Sequence, residues 1–423
     1  MKIAIIGAGI SGLVAAYKLQ SSHKVTIFEA NAYLGGHTNT ITVNENDRQF
    51  GVDTGFIVFN DRTYPNFISL LDEWGVESQK TVMSFSVKCD RTGLEYRGAD
   101  FGGLFAQKRN LFNPKFLRLL YDLVRFKKVA QPLLQNETET ETVGSFLHRN
   151  RFSQSFIDQY FLPMGSSIWS CPTGTFMEFP IEFIAEFYHN HGLLGVSDRP
   201  QWYVIKGGSQ QYVQRLKQLL YCNIHLNTPV TDISRTGDEV ILQFKDGSTQ
   251  SYDHVIFACH ADQALRILGN STSRVEREIL SAFPYQKNVA TLHTQTDVLP
   301  KRKRAWAAWN YHRSLQDSEH ATLTYCMNLL QSLDTSKTYC VTLNDSGSIR
   351  DENKIAEIDY AHPIFDLRRK AMQDRHGDVI DQNRTSYCGA YWGNGFHEDG
   401  VNSGLAVANA LMNIHERVES VST

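Results

Sequence analysis

A glycine-rich turn at the N-terminus most constrains how this chain can fold. Lys2–Ile6 is a short apolar, β-branched run that is typical of a buried parallel strand. It leads directly into the sequence GAGISG (7–12), and a helical pattern follows. In such a turn Gly7 permits the tight bend, Gly9 lets the backbone approach a pyrophosphate, and Gly12 allows close helix–strand packing. The N–H groups at the start of the helix would then face the phosphates.

A second strand and an acidic residue complete this dinucleotide-binding pattern. Lys24–Phe28 leads into Glu29, whose carboxylate can accept hydrogen bonds from both hydroxyls of a ribose. Two later glycine segments, at Gly35-Gly36 and Gly55, add a second loop on the phosphate side. A nicotinamide dinucleotide does not need this second loop. We therefore expect a bulkier cofactor, with its ring lying deeper, between domains.

Composition excludes several classes of function. The chain has 423 residues, more than one hydrophobic core accommodates, so we expect two or three domains. A net charge of -3 does not favour a nucleic-acid partner. The seven cysteines are scattered, and neither a CxxC pair nor HExxH occurs, which favours a reduced, cytoplasmic protein without a bound metal. The run NETETETVG (136–144) is interpreted as a short acidic loop.

Four separated segments resemble the flavin-containing amine oxidase superfamily, which includes carotenoid desaturases and protoporphyrinogen oxidases. They are the N-terminal GxGxxG with Glu29, the Gly35-Gly36 pair, the block at 202–260 and the glycine-rich loop at 387–404. The stretches GGHT, VDTGFIVFN, AWAAWNYH and GFHEDG further resemble an FAD-binding subgroup associated with fatty-acyl modification. The resemblance implies an α/β fold, with a Rossmann-like FAD-binding domain of the amine-oxidase type and an interleaved α+β substrate domain.

The motif positions suggest how the chain is divided between the two domains. We assign 1–75, 200–265 and 381–423 to the FAD-binding domain, and 76–199 and 266–380 to the substrate domain.

The resemblance also implies roles for residues far from the first turn. Val230 would contact the adenine side through its backbone, and Gly389 would give a backbone donor to the pyrophosphate. A helix starting around Asp399–Val401 would face the flavin N1–C2=O edge, where negative charge gathers on reduction. His37 stands where the superfamily commonly has arginine. The predicted cofactor-binding residues are Gly7, Gly9, Ile10, Ser11, Gly12, Glu29, Ala30, Gly35, Gly36, His37, Thr38, Thr54, Gly55, Val230, Ala258, Gly389, Asp399, Gly400 and Val401.

Candidates for catalysis come mainly from the same resemblance. Phe396 matches a position where the family places a ring against the isoalloxazine, although a core phenylalanine beside a turn also fits. Lys287 lies near the place where amine oxidases use a lysine at flavin N5. His397 is the third catalytic candidate, but the run HED (397–399) is better interpreted as a helix cap. Other histidines considered as acid–base groups are His260, His293 and His312.

The resemblance implies noncovalent FAD. Members with a covalent flavin carry a cysteine well upstream of the C-terminal loop. Residues 372–387 contain none, and Cys388 falls on a different position.

The substrate half contains a basic helix. Residues 114–128 have helical spacing, with Phe116, Leu119, Leu120, Leu123 and Val124 expected on one face. Over 104–134 there are seven Lys or Arg residues against one Asp. Such a helix can lie on an anionic bilayer; the alternative, an ordinary domain-surface helix with a solvated basic face, is slightly favoured.

Residues 159–183 mix aromatics, methionine and turn residues without a clean period, which suits a pocket wall better than a regular element. Trp169 is nominated as a substrate-lining residue together with Phe396. Packing of Trp169 in the core is the alternative.

These observations predict an FAD-dependent oxidoreductase, an oxidase or desaturase that takes hydride from a C–H bond of a hydrophobic, lipid or fatty-acyl substrate onto flavin N5. A flavin amine oxidase, a flavin-dependent isomerase without net redox change and a non-catalytic FAD-binding scaffold are the alternatives. The expected partner is a small hydrophobic molecule, with peripheral association at the inner face of a membrane. The oligomeric state is not predicted.

Overall fold

The computed structural model describes residues 1–135, 141–194, 199–314, 322–345 and 347–422, so most of the acidic run at 136–144 lies outside the described residues. The strands are β1 (Lys2–Ile6), β2 (Lys24–Phe28), β3 (Thr40–Glu45), β4 (Arg48–Asp53), β5 (Phe59–Asn60), β6 (Ser78–Thr81), β7 (Phe85–Cys89), β8 (Leu94–Arg97), β9 (Trp202–Ile205), β10 (Asn223–His225), β11 (Val230–Arg235), β12 (Val240–Phe244), β13 (Thr249–Tyr252), β14 (His254–Phe257), β15 (Tyr285–His293), β16 (Trp309–Arg313), β17 (Thr322–Cys326), β18 (Cys340–Leu343), β19 (Lys354–Pro363) and β20 (Thr385–Tyr387).

The α-helices are α1 (Ile10–Leu19), α2 (Pro65–Trp74), α3 (Phe101–Leu104), α4 (Pro114–Ala130), α5 (Val143–Arg149), α6 (Gln154–Phe156), α7 (Leu162–Ile168), α8 (Thr173–Met177), α9 (Ile181–Asn190), α10 (Gln210–Leu219), α11 (Ala261–Leu268), α12 (Arg274–Leu280), α13 (Met327–Leu330), α14 (Arg369–Gln373) and α15 (His397–Ser422). A π-helical turn covers Ile157–Phe161, and 3₁₀ turns cover Lys108–Phe112, Gln131–Gln135, Gly269–Ser271, Lys303–Ala305, Asp351–Asn353, His376–Val379 and Ala390–Trp392.

A five-stranded parallel sheet holds the N-terminal motif. Its strand order is β10-β2-β1-β14-β20, and each neighbouring pair is parallel. In the centre, Ile5 is paired with Ile27 on one side and Ile256 on the other, and all three are fully buried. Apolar β-branched runs suit a sheet that is covered on both faces. The predicted strands at 2–6 and 24–28 and the Rossmann-like α/β fold are confirmed.

A second large sheet is built from other parts of the chain. It has seven strands in the order β19-β15-β18-β17-β16-β7-β8, antiparallel except for the β7–β16 pair. Its strands come from 85–97 and 285–363, whereas those of the parallel sheet come from 2–28, 223–257 and 385–387. The chain therefore passes between the two sheets repeatedly. The domain boundaries given above stay predictions.

The basic helix forms where the spacing places it, but its buried face is not quite the expected one. Phe116 and Leu119 are buried, and Leu120 and Leu123 are half-buried, as expected. Val124 is exposed, so its predicted place on the buried face is wrong. Asp122 is buried instead, because its carboxylate binds Arg118, Arg125 and the backbone N–H of Ser153. A fully paired carboxylate can occupy a buried position that an apolar pattern would not assign to it.

The expectation of irregular structure over 159–183 is also wrong. The π-helical turn and α7 cover most of its first ten residues, and α8 and the start of α9 follow. Four of the seven residues of α7 are buried, and three of these are Gly165, Ser166 and Ser167, so the segment has no apolar period that would identify a helix. Pro163 is the second residue of α7, which follows the π-helical turn without a break.

Helix α15 packs against the start of α1 at very short range. A methyl group at Gly400 would lie 2.8 Å from Ile10 Cγ2, and one at Gly404 would lie 2.5 Å from the carbonyl oxygen of Ser11. Both glycines therefore allow the two helices to approach more closely than side chains permit. The contact at Gly404 is with backbone, which cannot move aside as a side-chain tip can.

We expect Gly404→Ala to destabilise the protein. On an open helix surface this change would stabilise by up to about 1 kcal/mol through helix propensity. Here the overlap with Ser11 should outweigh that gain and cost roughly 1–3 kcal/mol. Urea or thermal unfolding measures the effect. Gly174→Ala in α8 is the matched control, because a methyl group there meets no atom within 4 Å. Equal stability of the two variants would contradict the packing argument.

Candidate functional site

A cavity of about 2030 Å³ lies at the carboxyl ends of the parallel strands. It is lined by the segments that follow β1, β2, β14 and β20, and it extends to β15, β19, α4 and α7. In open parallel sheets, ligands bind at this edge. Pockets for single small molecules measure roughly 300–1,000 Å³. The cavity therefore has room for a bulky cofactor and a substrate together.

The three glycines of the first turn occupy the positions that their spacing predicts. Gly7 has φ +108, and a methyl group there would lie 2.6 Å from the carbonyl oxygen of Ala258 in the segment after β14. A methyl group at Gly12 would lie 2.2 Å from the Gly7 carbonyl oxygen and 2.9 Å from the Ala258 side chain. At Gly9 it would meet no atom within 4 Å, although Gly9 lines the cavity. The space above Gly9 is thus open for a phosphate at the start of α1.

Glu29 is fixed at the cavity wall by backbone donors. Its Oε2 accepts a hydrogen bond from the N–H of Ala8 at 2.8 Å, and its Oε1 accepts one from the N–H of Asn31 at 2.8 Å. Each carboxylate oxygen keeps a second lone pair. The oriented carboxylate can therefore still accept the hydroxyls of a ribose.

The second glycine loop packs directly onto the first. The segment at Gly35 forms a parallel bridge with Gly9, and a methyl group at Gly36 would lie 3.3 Å from the Gly9 Cα. His37 follows, and its Nε2 donates to the carbonyl oxygen of Ala361 at 3.1 Å while its ring stacks on Tyr360. Burial lowers the pKa of His37. Burial therefore favours the neutral imidazole, which presents Nδ1 as a hydrogen-bond acceptor.

Most of the predicted cofactor-binding residues lie together around this cavity. Those that line it are Gly7, Gly9, Ile10, Ser11, Glu29, Ala30, Gly35, Gly36, His37, Thr54, Gly55, Val230, Ala258 and Gly389. Five others are not among its lining residues: Gly12, Thr38, Asp399, Gly400 and Val401. Gly12 and Gly400 serve the packing of α1, and Val401 is fully buried in the core around the parallel sheet.

The C-terminal loop brings Gly389 to the cavity, and its role at the pyrophosphate stays a prediction. Gly389 follows β20 and lines the cavity, but its N–H donates to Ser403 Oγ at 2.9 Å. The backbone donor that the resemblance implies for the pyrophosphate is therefore already used within the protein. Tyr391, two residues on, also lines the cavity, and its buried hydroxyl has no hydrogen-bond partner among the described residues. A buried hydroxyl of this kind fits a polar group of a bound ligand.

All three residues of the run HED (397–399) make side-chain hydrogen bonds within the protein. Helix α15 begins at His397, two residues before the expected start. Asp399 accepts the N–H of Phe396 at 2.9 Å and so caps α15, and burial raises its pKa to about 6. Glu398 accepts the N–H groups of Asn66 and Phe67 at 2.9 and 2.8 Å. It therefore caps α2 rather than its own helix, while the cap interpretation of Asp399 is confirmed.

His397 is held from two sides. Its Nε2 lies 2.7 Å from the hydroxyl of Tyr212, which in turn lies 2.5 Å from Thr38 Oγ1. The imidazole stacks on Phe56, with ring centroids 3.7 Å apart. Burial lowers the pKa of His397 to about 3, so the ring is neutral where it lines the cavity. Its catalytic role stays a prediction.

An aromatic wall stands opposite the glycine loops. Phe396 stacks on Phe187 with ring centroids 5.1 Å apart, and Phe187 stacks on His191 at 3.8 Å. Trp169 lies 4.8 Å from Phe187 and donates its Nε1 hydrogen to the carbonyl oxygen of Asn394 at 3.3 Å. All four rings line the cavity. Phe396 and Trp169 thus pack in an aromatic cluster and face the cavity at once, so the two interpretations of each residue are compatible.

Lys287 and a histidine cluster line the cavity beside the second glycine loop. Lys287 lies on β15, paired with Ala361 of β19. The ring of His37 lies 5.8 Å from that of His260 and 5.3 Å from that of His362. Burial lowers the pKa values of His260 and His362 to about 3. These imidazoles are therefore neutral.

Two of the histidines proposed from the sequence lie elsewhere. His293 is buried against Thr342, and His312 is bonded to Asp90; neither is among the residues that line the cavity. His362 and Tyr360 were missed because the segment KIAEIDYAHP has no motif. Only the pairing of β19 with β15 brings it to the cavity.

Two further features concern the described ranges of the chain. No group of three or more His, Cys, Asp or Glu residues in them is arranged to hold a metal ion. None of the helices found there combines the length and apolar composition that crossing a bilayer requires.

Comparison with known proteins identifies the class. A family model described as flavin containing amine oxidoreductase matches residues 10–346, so the chain belongs to this family. The chain is therefore a flavin-dependent oxidoreductase, and the open space above Gly9, the fixed Glu29 carboxylate and the size of the cavity fit a flavin dinucleotide.

Curated relatives match short segments. A 4,4'-diapophytoene desaturase (4,4'-diaponeurosporene-forming) of Staphylococcus aureus (strain bovine RF122 / ET3-1) is 55% identical over 42 residues, 10% of this chain and 8% of that protein. Protoporphyrinogen oxidase 2, chloroplastic/mitochondrial, of Arabidopsis thaliana is 36% identical over 80 residues, 19% of this chain and 15% of that protein. These matches span a small part of the relatives' own length.

Solved structures match over nearly the whole chain. Cyclohexylamine oxidase from Brevibacterium oxydans IH-35A has a TM-score of 0.71 at 16% identity, covering 98% of this chain and 99% of that chain. A fatty acid isomerase from P. acnes has a TM-score of 0.67 at 16% identity, covering 97% and 98%. At this level of identity the similarity shows the fold alone.

We expect Gly9→Val to abolish flavin binding without unfolding the protein. The valine side chain would enter open space in the free protein and occupy the volume that a phosphate needs. The flavin-to-protein ratio after purification, read from visible absorbance, should fall at least about tenfold. The thermal stability of the flavin-free protein should change little, because surface-like substitutions change the free energy of unfolding by no more than about 0.5 kcal/mol. Gly174→Val, also into open space but outside the cavity, should keep its flavin. Full flavin content in Gly9→Val would overturn this assignment.

Proposed function

We propose that the protein is an FAD-dependent oxidase or desaturase that oxidises a C–H bond of a hydrophobic, lipid or fatty-acyl substrate. The observation that carries the proposal is the continuity of the cavity, which runs from the glycine loops to an aromatic and aliphatic wall. When bound, FAD supplies the chemistry by accepting a hydride from the substrate at N5. The residues of this chain bind and orient the cofactor and the substrate, and they exclude water from the site.

The two glycine loops support FAD as the flavin. Gly9 and Gly36 stack their backbones beside the start of α1, and Glu29 is oriented for a ribose. Val230, at the first position of β11, lines the cavity on the side of Glu29 and Phe28 and is proposed to contact the adenine. A flavin mononucleotide would leave this end of the cavity without a ligand.

The cysteines support noncovalent binding. Cys388 is fully buried in the core around the parallel sheet and is not a lining residue. Cys259 does line the cavity, but burial raises its pKa to about 12. A thiol with such a pKa stays protonated and is a poor nucleophile toward the flavin ring.

The far wall supports a hydrophobic substrate. Apolar side chains from three elements line it: Leu104, Leu119, Leu120, Leu123, Met164 and Ile168. An alkyl chain would bury apolar surface against this group, and Lys127 of α4 adds one cationic side chain to the same wall. Trp169 and Phe396 line the same cavity, and the reacting carbon is proposed to lie beside them.

The proposal includes location. The seven cysteines are free and none is disulfide-bonded, which suits a reducing compartment. We place the protein in the cytoplasm, peripherally on the inner face of the membrane where a lipid substrate resides. No nucleic acid is part of the proposal.

Anaerobic bleaching of the flavin tests this function. Purified holoprotein is mixed under argon with fatty-acyl lipids, carotenoid precursors or amines, and flavin absorbance near 450 nm, an approximate flavin band maximum, is followed. We expect a fatty-acyl lipid to bleach it. Turnover that needs reduced flavin and consumes no electron acceptor would replace the proposal with an isomerase. Bound FAD that no substrate class bleaches would indicate a non-catalytic scaffold.

A flavin amine oxidase is the second candidate, and the position of Lys287 favours it. The lysine lies on β15 and lines the cavity beside the second glycine loop. If an amine is the substrate, Lys287→Met should lower the rate of flavin reduction at least about tenfold, in the range typical of lost acid–base groups. An unchanged rate with amines, or bleaching by lipids alone, would exclude this candidate.

A further inference from the structure

Helix α4 presents an apolar ridge to solvent. Leu117, Tyr121 and Val124 are 44%, 59% and 55% exposed. At 3.6 residues per turn these three positions lie within roughly 60° of one another on the helix. Leu111 and Phe112, in the 3₁₀ turn that leads into α4, are 41% and 86% exposed. Single exposed apolar residues are ordinary, but a contiguous group of this kind marks an interaction surface. These five residues are the outer ridge.

Basic residues surround the outer ridge. Lys108, Arg109, Lys115 and Lys128 are all exposed, and Arg118 and Arg125 flank the ridge on one side of α4. Asp122 is the sole acidic residue in the sequence between 104 and 134, and it is buried beneath the two arginines. The charge around the ridge is therefore strongly positive, and it would attract an anionic surface.

A neighbouring face of the same helix lines the cavity. Leu119, Leu120, Leu123 and Lys127 of α4 are lining residues, as are Leu104 of α3 and Tyr96 of β8. One helix therefore separates the outer ridge from the apolar end of the cavity. If the ridge lies on a surface, a molecule that moves from that surface into the cavity has to pass only α4.

We infer that the outer ridge docks on an anionic lipid bilayer and that the substrate enters the cavity from that bilayer beside α4. The inference rests on the proposed function for the identity of the substrate, but the docking itself does not. The ridge residues enter the acyl boundary, and the lysines and arginines contact the headgroups, as in other interfacial helices. Tyr121 suits this boundary because its ring is apolar and its hydroxyl is polar.

A bilayer fits the ridge better than a second copy of the chain. In a two-fold dimer the same patch meets itself. The basic residues around the ridge of one copy would then lie close to those of the other, and like charges at such a contact repel. An anionic bilayer satisfies both the apolar and the basic part of the surface.

Vesicle sedimentation tests the docking. Full-length holoprotein is mixed with vesicles of phosphatidylglycerol and phosphatidylcholine in equal parts, or of phosphatidylcholine alone, and bound protein is measured after centrifugation. We expect binding to the anionic vesicles that weakens at high salt, because exposed charges are screened. Equal binding to both vesicle types, or no binding to either, would overturn the inference.

Two variants and one control locate the surface. The ridge variant Leu117→Ser/Tyr121→Ser/Val124→Ser should reduce the partition coefficient at least about tenfold, because each substitution removes an apolar side chain that would enter the bilayer. The charge variant Lys115→Glu/Lys128→Glu should also reduce it at least tenfold, because each basic residue near an anionic surface contributes about fivefold. The control Tyr221→Ser/Val275→Ser/Ile355→Ser removes exposed apolar residues elsewhere and should bind within about twofold of the parent.

Flavin content and light scattering accompany these measurements. Flavin content comparable to that of the parent shows that a variant is folded. If the ridge variant does not fold, the charge variant still tests the inference. A change from dimer to monomer in the ridge variant would assign the ridge to a second copy of the chain and contradict the inference.

A final comparison separates docking from function. With a lipid that bleaches the flavin, the ridge variant should keep the parent rate in detergent micelles and lose most of it when the lipid is held in vesicles. If no lipid bleaches the flavin but the parent binds anionic vesicles through the ridge, the proposed function fails and the docking stands. If the ridge variant is equally slow in micelles, the ridge does not act as an entry surface.

Discussion

The close approach of backbone segments around the first turn of α1 is the constraint on which the rest of the structure depends. Gly12 brings α1 against the end of β14, and Gly400 and Gly404 bring α15 against the same turn of α1. A side chain at any of these glycines would overlap its neighbour. Segments from the start, the middle and the end of the sequence therefore meet at one point. The open space above Gly9 is what this packing leaves at the edge of the parallel sheet.

The polar groups of the C-terminal loop hold this arrangement in register. Asp399 caps α15, Glu398 caps α2, and His397 binds Tyr212 of α10. Three consecutive residues thus orient three helices around the cavity. A helix end that lacks such partners would leave buried N–H groups unsatisfied. The glycines between β20 and α15 let the chain turn from the sheet edge to the helix while Phe396 remains at the cavity.

The two large sheets contribute different parts of the cavity wall. The parallel sheet ends in loops that suit a dinucleotide, and the seven-stranded sheet with α4, α7 and α9 supplies the remaining wall. Burial makes the imidazoles of His37, His260, His362 and His397 neutral, because a charged ring would lose its hydration without gaining a carboxylate. The histidines of the site therefore contribute hydrogen bonds without charge, and its charged lining residues are Glu29, Lys80, Lys127, Arg199, Asp262, Arg266, Lys287 and Asp359.

Local chemistry in the sequence determined the end of the cavity that the first glycine turn forms. The roles of Gly7, Gly9 and Gly12, the strands around them and Glu29 follow from backbone sterics within thirty residues or so, which is the span of one βαβ unit. The course of α4 was also readable, because its apolar spacing is local. Tertiary structure alone decided the rest: that Asp122 is buried while Val124 is exposed, that Ser403 uses the N–H of Gly389, and that β19 carries His362 to the cavity. These outcomes depend on contacts between residues distant in the chain, and such contacts leave no periodic pattern in the sequence that could reveal them.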